Sequence, residues 1–231
     1  MDNQGLKLIL KTIPRLILGL FLCSVAIMLM IYADLGLAPW DVLHTGLMAQ
    51  TGLTLGQISQ GVGLILIVAN CFLGEIPGIA TLCNMYFIGL FIDLIENTGL
   101  LFIPQALLGK AGFLLLGFII FGWGSLFYMD SNLGAGPRDG LMIALVKKTK
   151  ASVFLIRTAI EVSALIFGIF LGGNVGIGTV IISLTIGYFV QLAFKLGGYQ
   201  PGTAPQRTLV DEYRILKKLL NKPTKPDSQA S

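Results

Sequence analysis

The chain has 231 residues, of which 55% are hydrophobic and only 12% charged, with a mean hydropathy of +0.82. Soluble domains carry about a quarter charged residues, so these values exclude one and describe an integral membrane protein. The formal net charge of +4 does not indicate nucleic acid. Basic residues gather at Lys7, Lys11 and Arg15, at Lys147, Lys148 and Lys150, and in the tail from Lys195, which is how the positive-inside rule distributes them.

In chain order, residues 1–15 read as a basic leader and a first span runs to residue 33. Residues 16–33 contain no Asp, Glu, Lys, Arg or His, close to the ~20 residues that cross ~30 Å of hydrocarbon. No small-residue cleavage site follows, so the segment reads as a span rather than a signal peptide. Asp34 and Gly36 interrupt it, and Pro39 then stands where a helix starts. The helix expected over residues 39–48 is too short to cross a bilayer at ~1.5 Å per residue. A second span is expected over residues 55–73, a turn at Gly74-Glu75-Ile76-Pro77-Gly78, and a third span to residue 95. After a linker containing Asn97-Thr98-Gly99 and Pro104, the pattern returns. A span covers residues 112–129, a short helix runs to 148, and further spans cover 152–171 and 175–193.

The return is a repeat. Asp34-Leu35-Gly36-Leu37-Ala38-Pro39-Trp40-Asp41-Val42-Leu43 recurs as Asn132-Leu133-Gly134-Ala135-Gly136-Pro137-Arg138-Asp139-Gly140-Leu141, 98 positions later. In the same frame Gly19 matches Gly117, Phe72-Leu73-Gly74 matches Phe170-Leu171-Gly172, and Gly78-Ile79-Ala80-Thr81 matches Gly176-Ile177-Gly178-Thr179. A common offset across turns, prolines and acidic residues points to internal duplication. Each copy holds three spans, an odd number, so the second copy is expected upside down. Loop charges agree: there is no Lys or Arg between Arg15 and the second span, while the second motif's loop carries Arg138, Lys147, Lys148 and Lys150. Only Lys110 falls on the wrong side. The expected fold is therefore an all-α polytopic membrane protein with six spanning helices. They form two inverted three-helix repeats, each with a short broken or re-entrant helix after its first span. The units are a leader at 1–15, repeat 1 at 16–96, a linker at 97–110, repeat 2 at 111–194 and a tail at 195–231. In the tail, Thr208-Leu209-Val210-Asp211 has a capping-box pattern. It opens an expected amphipathic helix over 209–222, with Leu209, Tyr213, Leu216 and Leu220 opposite Lys217, Lys218 and Lys222, before a disordered end from Pro223.

The motifs carry the candidate chemistry. With Pro39 or Pro137 as the first helical residue, Asp41 or Asp139 lies third, beside unpaired N–H groups and the positive end of the helix dipole, worth ~0.3–1 kcal/mol. Gly36, Gly134 and Gly136 serve as turn residues. That arrangement needs no ligand, yet non-helical backbone at membrane depth in inverted repeats commonly forms substrate or ion sites, so both readings stand. Trp40 is replaced by Arg138 in the second copy, and His44 by Met142. Arg138 suits a carboxylate or phosphate, or else snorkels to the inner interface, which is the favoured expectation. His44 lies one turn after Asp41, within reach for proton exchange, though a lone histidine near the outer surface is more often solvated. Arg157 and Glu161 share a face of the fifth span at i, i+4, and a pair facing the bundle interior is expected. Glu161 is the best single candidate for a proton or cation site. Gln57, Gln60, Asn70 and Asn84 either line a path or join helices. Cys23, Cys71 and Cys83 lack metal-ligand spacing and read as packing residues.

The first motif, Thr51-Gly52-Leu53-Thr54-Leu55-Gly56 and Pro77-Gly78-Ile79-Ala80-Thr81 resemble the YczE/YyaS/YitT-type bacterial membrane proteins. The resemblance covers nearly the whole hydrophobic region and implies a small bacterial inner-membrane protein with no assigned chemistry. No catalytic or binding residue carries over from it. Expected partners are the lipid bilayer and a small-molecule solute, with a homo-oligomer compatible and no nucleic acid, metal or cofactor. No nucleophile-and-base set, Walker loop or dinucleotide fingerprint suggests an enzyme. The function expected is a small secondary transporter or exporter of a small organic or amphipathic solute, with proton coupling an option. The alternatives are a non-transporting membrane partner or regulator and, below that, a lipid-flipping protein. Both termini are expected in the cytoplasm.

Overall fold

The computed structural model describes residues 3–200 and 206–220, and these form helices with no strand among them. The helices are α1 (Asn3–Tyr32), α2 (Pro39–Thr51), α3 (Leu55–Phe72), α4 (Ile79–Thr98), α5 (Leu107–Met129), α6 (Pro137–Thr149), α7 (Val153–Phe170), α8 (Ile177–Leu196) and α9 (Leu209–Leu220). Six of them, α1, α3, α4, α5, α7 and α8, are long and apolar enough to cross a membrane. The two short helices, α2 and α6, have 13 residues each, about 20 Å of rise, which falls short of a bilayer.

Local chemistry sets the boundaries. Pro39 and Pro137 open α2 and α6, where a missing N–H is no loss. Thr54 and Gln57 form a reciprocal capping box at the start of α3. The α1 helix already begins within the expected leader. The α4–α5 connection is shorter than the expected 97–110 linker, because α4 runs to Thr98 before Gly99 caps it at φ 62°. The Thr208–Asp211 capping box is present, with Thr208 N–H to Asp211 Oδ2 at 3.0 Å and Asp211 N–H to Thr208 Oγ1 at 3.3 Å. The expected extension of α9 to 222 and the tail from Pro223 lie outside the described residues. Cys23 is buried as expected of a packing residue, but Cys71 is exposed, on the outward face of α3.

The α1 helix is the spine, packed along α5 and α4, while α8 packs on α5. Close approach depends on glycine. A Cβ on Gly19 would meet Tyr128 N at 2.6 Å, and one on Gly117 would meet Met30 Cγ at 2.7 Å. Apolar side chains at these crossings, including Met28, Met30, Ile92, Phe118 and Ile182, form the main core cluster. The short helices cross between halves: α2 packs on α7, and α6 on α3. Backbone conformation keeps the 98-residue frame. Asp34 and Asn132 have φ 51° and 52°, Gly36 and Gly134 118° and 126°, Gly74 and Gly172 88° and 87°, and Gly52 and Lys150 71° and 57°. The one basic residue that broke the expected charge pattern, Lys110, is neutralised by Asp34 at 2.6 Å.

Candidate functional site

Each motif loop is pinned to the first turn of the last spanning helix of the opposite half. Gly178 N–H donates to Leu35 O at 2.6 Å, and Leu37 N–H to Thr179 Oγ1 at 3.1 Å. The counterparts are Ala80 N–H to Leu133 O at 2.9 Å and Thr81 Oγ1–H to Ala135 O at 2.6 Å. Tyr128 OH adds a buried bond to Gly134 O at 3.2 Å. With φ of 118° and 126°, Gly36 and Gly134 adopt backbone that side-chain residues rarely take. A Cβ on either would also meet the opposing glycine backbone, at 2.6 Å from Gly176 N and 2.7 Å from Gly78 Cα. These fastenings aim the starts of α2 and α6 at each other.

Where they meet, the Arg138 guanidinium lies over the Trp40 ring at 4.6 Å from its centroid, a cation–π contact worth ~0.5–2 kcal/mol. The Trp40 face thus engages Arg138, a partner that the expectation of an inner-interface residue did not include. Asp41 and His44 are buried, at 5% and 2% exposure, so the expected solvated histidine is corrected. His44 Nδ1 is 3.9 Å from Asp41 Oδ1, too long for a hydrogen bond, and its buried Nε2 has no hydrogen-bond partner among the described residues. Arg138 is in electrostatic range of Asp41, Asp139 and Glu161, and Asp139 of Arg157, Arg138 and Glu161. All six charged or titratable candidates thus form one linked set: Asp41, His44, Arg138, Asp139, Arg157 and Glu161.

Both short helices lie outside the six spanning segments. Burial raises the Asp41 pKa from 3.8 to about 6, with the Arg138 charge acting the other way. Asp139 is also raised by burial, opposed by Arg157 and Arg138. Burial, and then the nearby Arg138, push His44 well below its usual value, so its imidazole is neutral. The Arg157 Nε–Glu161 Oε1 pair forms at 3.2 Å, but Arg157 is 60% exposed rather than enclosed in the bundle as expected. The reason is packing: α7 uses Ala164 and Gly168 against α2 and leaves its other face uncovered.

Asn70, expected to line a path or join helices, does both, but its partner and the strap beside it escaped sequence reasoning. Asn70 Nδ2–H donates to Pro137 O at 2.9 Å, while its buried Oδ1 has no hydrogen-bond partner among the described residues. It borders a cavity of about 50 Å³ shared with Thr81, Gly134, Gly140 and Gln206. Residues 206–209 strap that cavity: Gly134 N–H donates to Gln206 Oε1 at 3.1 Å, Arg207 N–H to Asn132 O at 3.0 Å, and Leu209 N–H to Pro77 O at 2.9 Å. The Thr81 and Thr179 repeat was visible in sequence, but not the distant carbonyl and amide they bind.

Six apolar spanning helices around a linked charged set, of which Asp41 and His44 are buried, define a polytopic membrane protein. Residues 10–195 match the family of unknown function DUF6198, and the chain belongs to it. It is 35% identical over 186 residues to an uncharacterised protein of Haemophilus influenzae, covering 80% of this chain and 84% of that one. It is 34% identical over 163 residues to the uncharacterised membrane protein YczE of Bacillus subtilis, covering 69% and 74%. To the uncharacterised protein YyaS of the same organism it is 29% identical over 169 residues, covering 71% and 83%. No solved structure matches.

Proposed function

We propose that this chain is a small secondary transporter or exporter of a small organic or amphipathic solute. It alternates access about two inverted three-span repeats, residues 16–96 and 111–194, whose re-entrant helices α2 and α6 meet at the site. The observation that carries this reading is the contact of Trp40 with Arg138, two residues 98 positions apart. Equivalent positions of a duplicated chain touch each other only near the axis relating the copies. A charged set on that axis lies where either half can expose it, and opposed half-helix starts are how such transporters build sites. Asp41, Asp139 and Glu161 supply the proton or cation positions, and Arg138 and Arg157 the compensating charge. The membrane is the bacterial inner membrane, with both termini cytoplasmic.

The test is flux in proteoliposomes under an imposed pH gradient, across a panel of small organic amines, acids and amphiphiles. Solute entry tied to proton movement is expected, falling at least tenfold in Asp139→Asn and Glu161→Gln and measurably in Asp41→Asn. Undiminished flux in all three variants removes this site.

One observation favours a second reading, a partner or oligomer bound along α7. This helix is the least buried span, 11% of its apolar window being covered, and it carries the exposed Arg157. Light scattering of the detergent-solubilised chain that gives a monomer, with no co-purified chain, removes it.

A further inference from the structure

A second cavity, of about 610 Å³, opens among α1, α2, α3 and α4, apart from the charged set. This size falls in the range of small-molecule sites. Much of its wall is apolar, with Met28, Ile31, Leu55 and Ile103 contributing, and its polar edge holds Asp93 and Glu96. Among the described residues neither carboxylate has a cationic partner. Asp93 accepts from Thr54 Oγ1–H at 2.6 Å and Gly56 N–H at 2.9 Å, and Glu96 from Tyr32 OH at 3.0 Å. The sequence leaves them bare: no Lys or Arg occurs between Arg15 and Lys110, and Lys110 is taken by Asp34.

Asp93 has a structural task, fastening the start of α3, but Glu96 has none beyond one exposed phenol. In the 98-residue frame Asp93, Glu96 and Asn97 become Gln191, Phe194 and Lys195. The acidic edge is thus confined to the first half, not a scaffold property of both. An apolar wall repels inorganic cations, which keep their hydration, and two uncompensated carboxylates repel anions. We infer that this cavity binds an amphipathic organic cation, its apolar body against Ile31 and Leu55 and its charge at Glu96 and Asp93.

The inference stands apart from the transport reading, because binding is measured without flux. The full chain in detergent is titrated with tetraphenylphosphonium by equilibrium dialysis, with tetraphenylborate as the anion of matching shape and detergent alone as background. Saturable binding of the cation and none of the anion is expected. Glu96→Gln, at an exposed position, should weaken binding at least fivefold, Ile103→Lys should abolish it, and Lys148→Ala, at an exposed position outside both sites, should leave it intact. Equal binding of both ions, no loss in Glu96→Gln and Ile103→Lys, or a co-purified lipid that tetraphenylphosphonium does not displace overturns it. Cation binding without any flux would sink the transport reading alone.

Discussion

Asp41 carries a stability cost that the proposed site would put to use. Its raised pKa means that between 3.8 and about 6 the native chain holds a proton that the unfolded chain releases. Stability therefore falls as pH rises through that window, and the ionised buried carboxylate is a cost above it. That displacement corresponds to roughly 2–3 kcal/mol. Asp41→Asn should thus stabilise the protein by about 2 kcal/mol near pH ~7.5 and by little near pH ~4, read from unfolding in detergent at both values. The same change is expected to lower flux, the usual exchange between stability and activity at a working site. A lowered midpoint at the higher pH would show that the carboxylate holds structure. Asp41, Asp139 and Arg138 were singled out from the repeated motif and His44 from the residue after it, but the burial of Asp41 and His44 was not legible. What the sequence could not say was that Trp40 and Arg138 meet. Matching positions in a repeat reveal kinship, whereas contact between them depends on where the axis falls.

At the scale of elements, the two halves diverge most between their last two spanning helices. The α3 helix packs along α4, whereas α7 has no comparable contact with α8. The cause is one crossing. Gly56 and Gly89 bring the α3 and α4 backbones together, a Cβ on Gly89 lying 2.4 Å from Gly56 O. In the second half Phe154 stands in place of Gly56, and Gly187, the counterpart of Gly89, has nothing within 4 Å. Gly89→Ala should therefore destabilise by about 2 kcal/mol or more, since backbone rather than a flexible side chain stands in the way. Gly187→Ala should be neutral or gain up to about 1 kcal/mol from helix propensity. Unfolding midpoints of the two variants, compared in one detergent, check the pair, and equal losses would contradict the account. Apart from α1, which starts at Asn3 inside the expected leader, the helices were readable from hydropathy and prolines to within a few residues. The splaying was not, because a Phe-for-Gly exchange in an apolar run leaves hydropathy almost unchanged while removing the close approach. The strap at residues 206–209 was equally hidden, since its hydrogen bonds run mostly to backbone groups.

Over the whole molecule, the 98-residue correspondence reaches beyond the motif: left-handed residues, docking hydrogen bonds and the close-approach glycines Gly19 and Gly117 recur in one frame. The proposed inversion of the two halves dictates sidedness. Leu53, just after α2, and Lys148, in the last turn of α6, occupy nearly matching ends of the two short helices, and both are exposed. Around the first there is no Lys or Arg for tens of residues, while the second sits among Lys147, Lys148 and Lys150. The positive-inside rule therefore sends them to opposite faces, Leu53 outward and Lys148 inward. In a chain with Cys23, Cys71 and Cys83 replaced by alanine, Leu53→Cys should react with a membrane-impermeant maleimide added to right-side-out vesicles, and Lys148→Cys only in inverted ones. Labelling of both from the same side would mean that α2 or α6 crosses the membrane. The halves would then be parallel and the shared axis lost. The Trp40–Arg138 contact would remain as a structural join rather than the centre of an alternating site.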